Sequence, residues 1–361
     1  MRPSNPRFAP HQSHRFTRAL LCACAIILLG ACGAAHAHYF CITTAAELQD
    51  ALTKSSLGGP YDAEDNSLFL VHGLYKTGAV TGNQPFFYYA PTSTHDFTIM
   101  GGYADGCSAP TRQTPATRLD GDGLTGVLVL RSAYGAVYVR GLTLQNGNGN
   151  QLGAGLQINY LVTVNNSVDV YDVIVRNNHS SVDAGGLYVS GAGGGTRLFN
   201  NLITGNSADG NYGAGYVVGY GAYNGINNNT ITRNTAAAAS GAVGGLACGG
   251  TTPCQIEGSI FWNNTAAGLY LNDSLGVLHY NDVGMLDGQA PATSVGNVSV
   301  NPQFVDPDNG DFHLAGDSPL LGICPYFVHA NDLDENPPTL SGRIDLGPYE
   351  ETIFIDGVDG G

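Results

Sequence analysis

Asn201-Leu202-Ile203-Thr204-Gly205-Asn206 is one pass of a pattern that the chain makes five times. Gly141-Leu142-Thr143-Leu144-Gln145-Asn146 and Asp172-Val173-Ile174-Val175-Arg176-Asn177 come before it. Asn229-Thr230-Ile231-Thr232-Arg233-Asn234 and Ser259-Ile260-Phe261-Trp262-Asn263-Asn264 come after it. The closing asparagines stand 31, 29, 28 and 30 residues apart. Self-similarity at that period marks stacked structural repeats. A glycine-led segment follows each pass: Gly155-Leu156-Gln157-Ile158, Gly186-Leu187-Tyr188-Val189, Gly215-Tyr216-Val217-Val218, Gly245-Leu246-Ala247-Cys248 and Gly268-Leu269-Tyr270-Leu271. Ser67 to Leu70, Phe97 to Met100 and Val127 to Leu130 read as earlier rungs of this second ladder, giving eight from Ser67 to Leu271.

Within each rung, apolar and polar positions alternate with the period of a strand, not a helix. A coil of about 30 residues with two or more such strands has no room for a useful helix, which argues against leucine-rich and ankyrin repeats. Equivalent strands stacked at ~4.8 Å make parallel sheets, so eight rungs span roughly 34 Å. The fold expected is all-β: a single-stranded right-handed parallel β-helix. The turns between sheets call for left-handed backbone, which Asn and Gly tolerate. Stacked amides also hydrogen-bond along a file. Asn146, Asn177, Asn206, Asn234 and Asn264 are therefore read as one structural ladder.

Residues 1–37 read as an export signal. Arg2, Arg7, Arg15 and Arg18 precede an apolar run from Ala19 to Ala31, and Ala35-His36-Ala37 is a small-x-small cleavage site. Leu29-Gly30-Ala31-Cys32 offers a rival, a lipid on Cys32, as the one route to a membrane. The remainder carries ten basic against 29 acidic residues, a net charge of −19. Such a surface disfavours nucleic acid. Five cysteines follow the signal, consistent with export to an oxidising compartment. Cys248 with Cys254 and Cys41 with Cys107 are the expected bridges, leaving Cys324 over.

Residues 38–60 read as an N-terminal cap. Thr44-x-x-Glu47 is a capping box, and Leu48, Ala51 and Leu52 share one helical face over Thr43 to Ser56. The helix would cover the open first coil. Coils are assigned to 61–325, and 326–361 to a segment that closes the C-terminal end and a loose tail. Asp120 and Asp122, two apart in an Asp-Gly turn, are the calcium candidates, although Asp-Gly is ordinary turn chemistry. No other cofactor is expected.

Cys41-Ile42-Thr43-Thr44-Ala45-Ala46-Glu47-Leu48-Gln49, the N-x-I-x-x-N coils and Ile344-Asp345-Leu346-Gly347-Pro348-Tyr349-Glu350 resemble bacterial secreted right-handed parallel β-helix repeat proteins, which have the pectin-lyase-like fold. Phe199 to Ala208 resembles polymorphic outer-membrane repeats. Ile353-Phe354-Ile355-Asp356-Gly357 is similar to a C-terminal motif of such exported proteins, without the aromatic finish. The resemblance implies the fold. It is shared with pectate lyases, polygalacturonases and adhesins, so the function has to be read from a site.

Two constellations are candidates. Asp169, Asp172 and Arg176 could supply the base and charge partner of a pectate-lyase-type polysaccharide lyase, since proton abstraction beside a carboxylate needs both close together. Tyr188 and Tyr270, outward on the second ladder, with Tyr160, Tyr220 and Tyr223 in nearby turns, could stack on sugar rings. The expected role is binding or adhesion at the cell surface or outside it, with an extracellular polysaccharide or surface glycan as partner. The lyase, and a purely structural surface spacer, are the alternatives.

Overall fold

The computed structural model describes residues 37–351, apart from 111–115, 162–165, 192, 238–240, 274, 326–330 and 337–342, and apart from the side chain of Ala79. The signal reading, Cys32 and the tail from Ile353 lie outside the described residues.

The chain winds as a parallel solenoid with three main sheets. Sheet 1 has ten strands, from Ala37–Ile42 and Asp65–Val71 through Val137–Arg140, Ser167–Tyr171 and Gly195–Phe199 to Thr293–Val295. Sheet 2 has eight, from Gly73–Lys76 through Ile174–Arg176 and Leu202–Thr204 to Asp282–Val283. Sheet 3 also has eight, from Phe86–Ala90 through Leu187–Ser190 and Gly215–Gly219 to Leu286–Gly288. A four-stranded strip of two-residue strands, Asn148–Gly149 to Thr235–Ala236, fills the corner after sheet 2. Inward residues such as Leu144, Val175, Ile203 and Ile231 stack coil on coil and are fully buried.

A thirty-residue period is the same whichever strand is counted, and this corrects the second ladder. Ser67 and Phe97 belong to sheet 1, whereas Val127 directly precedes the sheet 3 strand Leu128–Ser132, which pairs with Leu156 and its successors. Spacing alone does not separate three strands per coil.

The asparagine file also shifts register. Asn146 and Asn177 take φ of 55° and 54°, the left-handed turn position that Gly205, Arg233 and Asn263 occupy on later coils. The buried file is the next residue along. Asn178 Nδ2 donates to Asn206 Oδ1 at 2.9 Å, Asn206 Nδ2 to Asn234 Oδ1 at 2.9 Å and Asn234 Nδ2 to Asn264 Oδ1 at 3.0 Å. Gly147 heads the file and donates its N–H to Asn178 Oδ1. Thus Asn206, Asn234 and Asn264 are ladder residues, while Asn146 and Asn177 are turn residues. A second file runs along the corner between sheets 1 and 2 through Asn201, Asn229, Ser259, Asn281 and Asn297. Both ends of an N-x-I-x-x-N coil are therefore structural: each side chain satisfies main-chain groups of the coils beside it, which a buried turn requires.

The N-terminal helix Ala45–Ser55 has the Thr44–Glu47 capping box and buries Leu48, Ala51 and Leu52 into the first coil. Cys41–Cys107 and Cys248–Cys254 are disulfides. Cys324 takes part in neither and is buried. Among the described residues no helix is long and apolar enough to cross a membrane.

The C-terminal segment is placed differently from the expected end-closure. Regular coils stop at Val295, before the expected boundary at 325. The antiparallel pair Phe304–Asp306 and Asp311–Leu314, with the chain that follows, lies along the outer face of sheet 2. Phe312, Leu333 and Tyr349 pack on Ile174 and Leu202, and Leu314, Leu320, Ile344 and Leu346 on Ile260. The physical reason is that Ile174, Leu202 and Ile260 are apolar at outward positions and need cover.

Protonation fastens this flap. His313 lies between Asp311 (2.6 Å) and Asp334 (2.9 Å), with its ring 4.2 Å from that of Tyr349. The hydrogen bond to Asp334, helped by Asp311, raises its pKa to about 9. Burial, with Asp345 nearby, raises Glu350 to about 8, and burial raises Asp332 and Asp345 too. A folded-state pKa above the unfolded one gives stability that is lost as pH rises through the folded value. Glu350 gives up its contribution between about pH 4.5 and about pH 8, and His313 between about pH 6.5 and about pH 9, so the flap should loosen progressively between about pH 4.5 and about pH 9. Hydrogen exchange of 304–351, corrected for the intrinsic rate, should rise over that window, and His313→Gln should flatten the rise.

Candidate functional site

Sheet 3 carries one file of outward side chains in strict register: Gln157, Tyr188, Tyr216, Ala247, Tyr270 and Asp287. Tyr188 to Tyr270 spans three coil steps, about 14 Å at ~4.8 Å each. Ala247 leaves a gap between Tyr216 and Tyr270, and Tyr212 fills it from the preceding turn. Its ring lies 5.1 Å from that of Tyr216 and 6.0 Å from that of Tyr270. Tyr188 and Tyr216 meet edge to face at 6.2 Å. The four rings form one half-exposed apolar surface with hydroxyls on it. Burial holds the Tyr188, Tyr212 and Tyr216 hydroxyls above the usual phenol range, so they stay protonated donors.

Tyr212 adopts φ of 64°. Gly153, Ala184 and Ala266 hold the same left-handed turn position on other coils, three residues before their sheet 3 strands. Left-handed backbone is thus the ordinary turn of the coil at this position, and what is particular to this coil is the tyrosine side chain it carries. Period 2 on the second ladder points to Tyr188 and Tyr270, but Tyr216 belongs to the same file, since it pairs with Tyr188 across the coils and, like it, precedes a valine. Tyr212 gave no signal from period 2, since it is not on a strand. Of the other tyrosines named, Tyr160 is structural, its hydroxyl donating to Gly135 O at 2.6 Å. The Tyr223 hydroxyl donates to the Asn227 side-chain amide, and Tyr220 is exposed beside the file.

Asp169, Asp172 and Arg176 are not brought together. Asp169, on sheet 1, is 3% exposed beneath Arg197, which donates Nε and Nη2 to its two oxygens at 2.6 Å each. Burial pushes its carboxyl up while Arg197 pulls it down. Asp172 sits at the corner with φ of 52° and accepts from Arg140 Nε (2.8 Å) and Asn200 Nδ2 (2.7 Å). Arg176, on the outer side of sheet 2, donates Nε and Nη2 to Gln145 Oε1 at 3.0 and 2.7 Å. Three residues with three separate partners do not make the base and neutraliser that proton abstraction needs.

The calcium candidates are likewise engaged. Asp120 Oδ2 accepts from Gln145 Nε2 (2.7 Å) and Asn146 Nδ2 (2.8 Å). Asp122 pairs with the Lys76 ammonium at 2.6 Å. Among the described residues no three of His, Cys, Asp or Glu are grouped to hold a metal ion.

Stacked parallel sheets with a register kept over eight coils define the class: the chain is a right-handed parallel β-helix repeat protein. Residues 124–285, less than half of it, match the family described as periplasmic copper-binding protein (NosD). No curated protein matches the chain. The residues in the matched region do not fit copper, which favours Cys, Met and His ligands. Cys248 and Cys254 are joined as a disulfide, so they offer no thiolate. His179, on the corner strip, meets Ser207 Oγ at 3.0 Å, and His279, on sheet 1, meets Glu257 Oε1 at 3.1 Å. Met285 is exposed at the last coils and converges with neither.

Proposed function

We propose that this is an exported β-helix protein that binds carbohydrate along the tyrosine file of sheet 3, in adhesion or retention of a glycan. The observation that carries the reading is Tyr212, held in left-handed backbone where it completes the surface of Tyr188, Tyr216 and Tyr270. Aromatic faces bury the apolar side of a sugar ring while phenol hydroxyls meet its polar rim. Two disulfides support an oxidising compartment, in line with the periplasmic description of the matched family. The excess of acidic residues favours a neutral glycan over an acidic polymer.

Affinity electrophoresis against a panel of neutral polysaccharides tests this. At least one should retard the protein, and Tyr216→Ala should weaken binding about tenfold or more, with Tyr134→Ala as an exposed control away from the file. If no polysaccharide retards it, or Tyr216→Ala and Tyr270→Ala migrate as wild type does, the structural-spacer reading takes its place.

A further inference from the structure

Between the flap and the outer face of sheet 2 runs a groove of about 450 Å³, a size usual for small-molecule sites. Ile174, Leu202, Phe312 and Tyr349 give it an apolar floor, Asn177 and Thr204 give it polar edges, and the Arg233–Asp308 ion pair also lines it. Arg176 lies in it, half-buried.

Five cations in the described residues have carboxylates: Lys54 with Asp50, Lys76 with Asp122, Arg140 with Asp172, Arg197 with Asp169 and Arg233 with Asp308, while Arg131 lies over the Phe87 ring. Arg176 has none within ion-pair distance among the described residues. It is held instead by the neutral carbonyl of Gln145, whose amide nitrogen is fixed by Asp120. Burial first, then the nearby Arg118, disfavours its charged form, and the more distant Asp120 and Tyr349 offset this in part. A guanidinium that is oriented, partly desolvated and without a carboxylate partner is disposed to receive an anion.

We propose that the groove binds a small organic carboxylate with a ring-sized apolar face, the carboxylate on Arg176 and the ring on Leu202, Phe312 and Tyr349. The site is on a different sheet from the tyrosine file and does not rest on the carbohydrate reading.

Titration calorimetry of the full exported chain tests it with benzoate and glucuronate as ring carboxylates, benzamide as the neutral analogue and acetate as the ringless anion. A ring carboxylate should bind with an affinity that falls with salt, and Arg176→Gln should weaken it about 10- to 100-fold. Benzoate against glucuronate tells whether the ring is hydrocarbon or sugar, and binding of either supports the site. Arg176→Gln should keep or raise the thermal midpoint, since it removes a half-buried charge with no counter-charge; an arginine needed only for structure would lower it. Tyr216→Ala should leave these titrations unchanged. Equal binding of benzamide, affinity no better than that of acetate, or full binding by Arg176→Gln would each overturn the proposal.

Discussion

Replacing Asn206 with alanine should lower the unfolding free energy by about 3–5 kcal/mol. Its side chain is fully buried and serves four groups. Nδ2 donates to Asn234 Oδ1 and to Val175 O, each at 2.9 Å, and Oδ1 accepts from Asn178 N and Nδ2 at 3.0 and 2.9 Å. Alanine would take the side-chain partner from the Asn178 N–H and from Val175 O in a buried stack, while Asn234 Oδ1 keeps the Asn206 N–H and Asn178 Nδ2 keeps Leu144 O. Each buried, unmet polar group costs about 1–3 kcal/mol, reduced here as neighbouring amides re-pair. Asn177→Ala, one residue earlier, should cost only about 1 kcal/mol, for the left-handed backbone alone. Urea unfolding of the two variants compares the registers directly, and equal losses would refute the file through Asn178, Asn206, Asn234 and Asn264. Coils interact mainly with their neighbours, so the Asn206 defect should also reduce cooperativity.

The second large effect concerns the seam between flap and solenoid. Gly347 has φ of +88°, and its N–H donates to Gly258 O at 2.8 Å. A Cβ there would stand 2.6 Å from Thr230 Oγ1 and 3.2 Å from Ile260 Cδ1. Gly347→Val therefore combines backbone strain with a clash against the coil, at a cost of about 3 kcal/mol or more. The flap should lift while the coils stay wound, because the inward core does not depend on it. The expected result is binding of a hydrophobic dye to newly exposed Ile174, Leu202 and Ile260, with far-ultraviolet circular dichroism nearly unchanged. Loss of the whole β signal in one step would show that flap and coils fold as one unit. Lifting the flap also removes Phe312 and Tyr349 from the Arg176 groove, so carboxylate binding should be lost with it.

The sequence disclosed the solenoid because thirty-residue spacing survives every local irregularity. It did not disclose which strand belonged to which sheet, because all three share the period. The ladder was legible only to within one residue. Turn position and ladder position are adjacent, both favour asparagine, and Asn177-Asn178 and Asn263-Asn264 fill both. The flap did leave a trace. Val173-Ile174-Val175 and Leu202-Ile203 are apolar at neighbouring positions, and a strand buried on both faces reads as a continuous run, not an alternating one. At the site, Tyr188 and Tyr270 followed from period 2. Tyr212 did not, because a turn residue reaches the file only through the coil stacking. Asp169 and Asp172 looked available because local alternation shows which way a side chain points, not which arginine on a neighbouring strand covers it.

Hydroxyl-radical footprinting of the protein, with and without the polysaccharide that retards it most, tests the binding face most directly. Tyr188, Tyr212, Tyr216 and Tyr270 should be protected together by the ligand, while Tyr39 and Tyr134 oxidise as they do in its absence. Protection confined to any other surface, with the four tyrosines oxidised equally in both samples, would contradict the assignment.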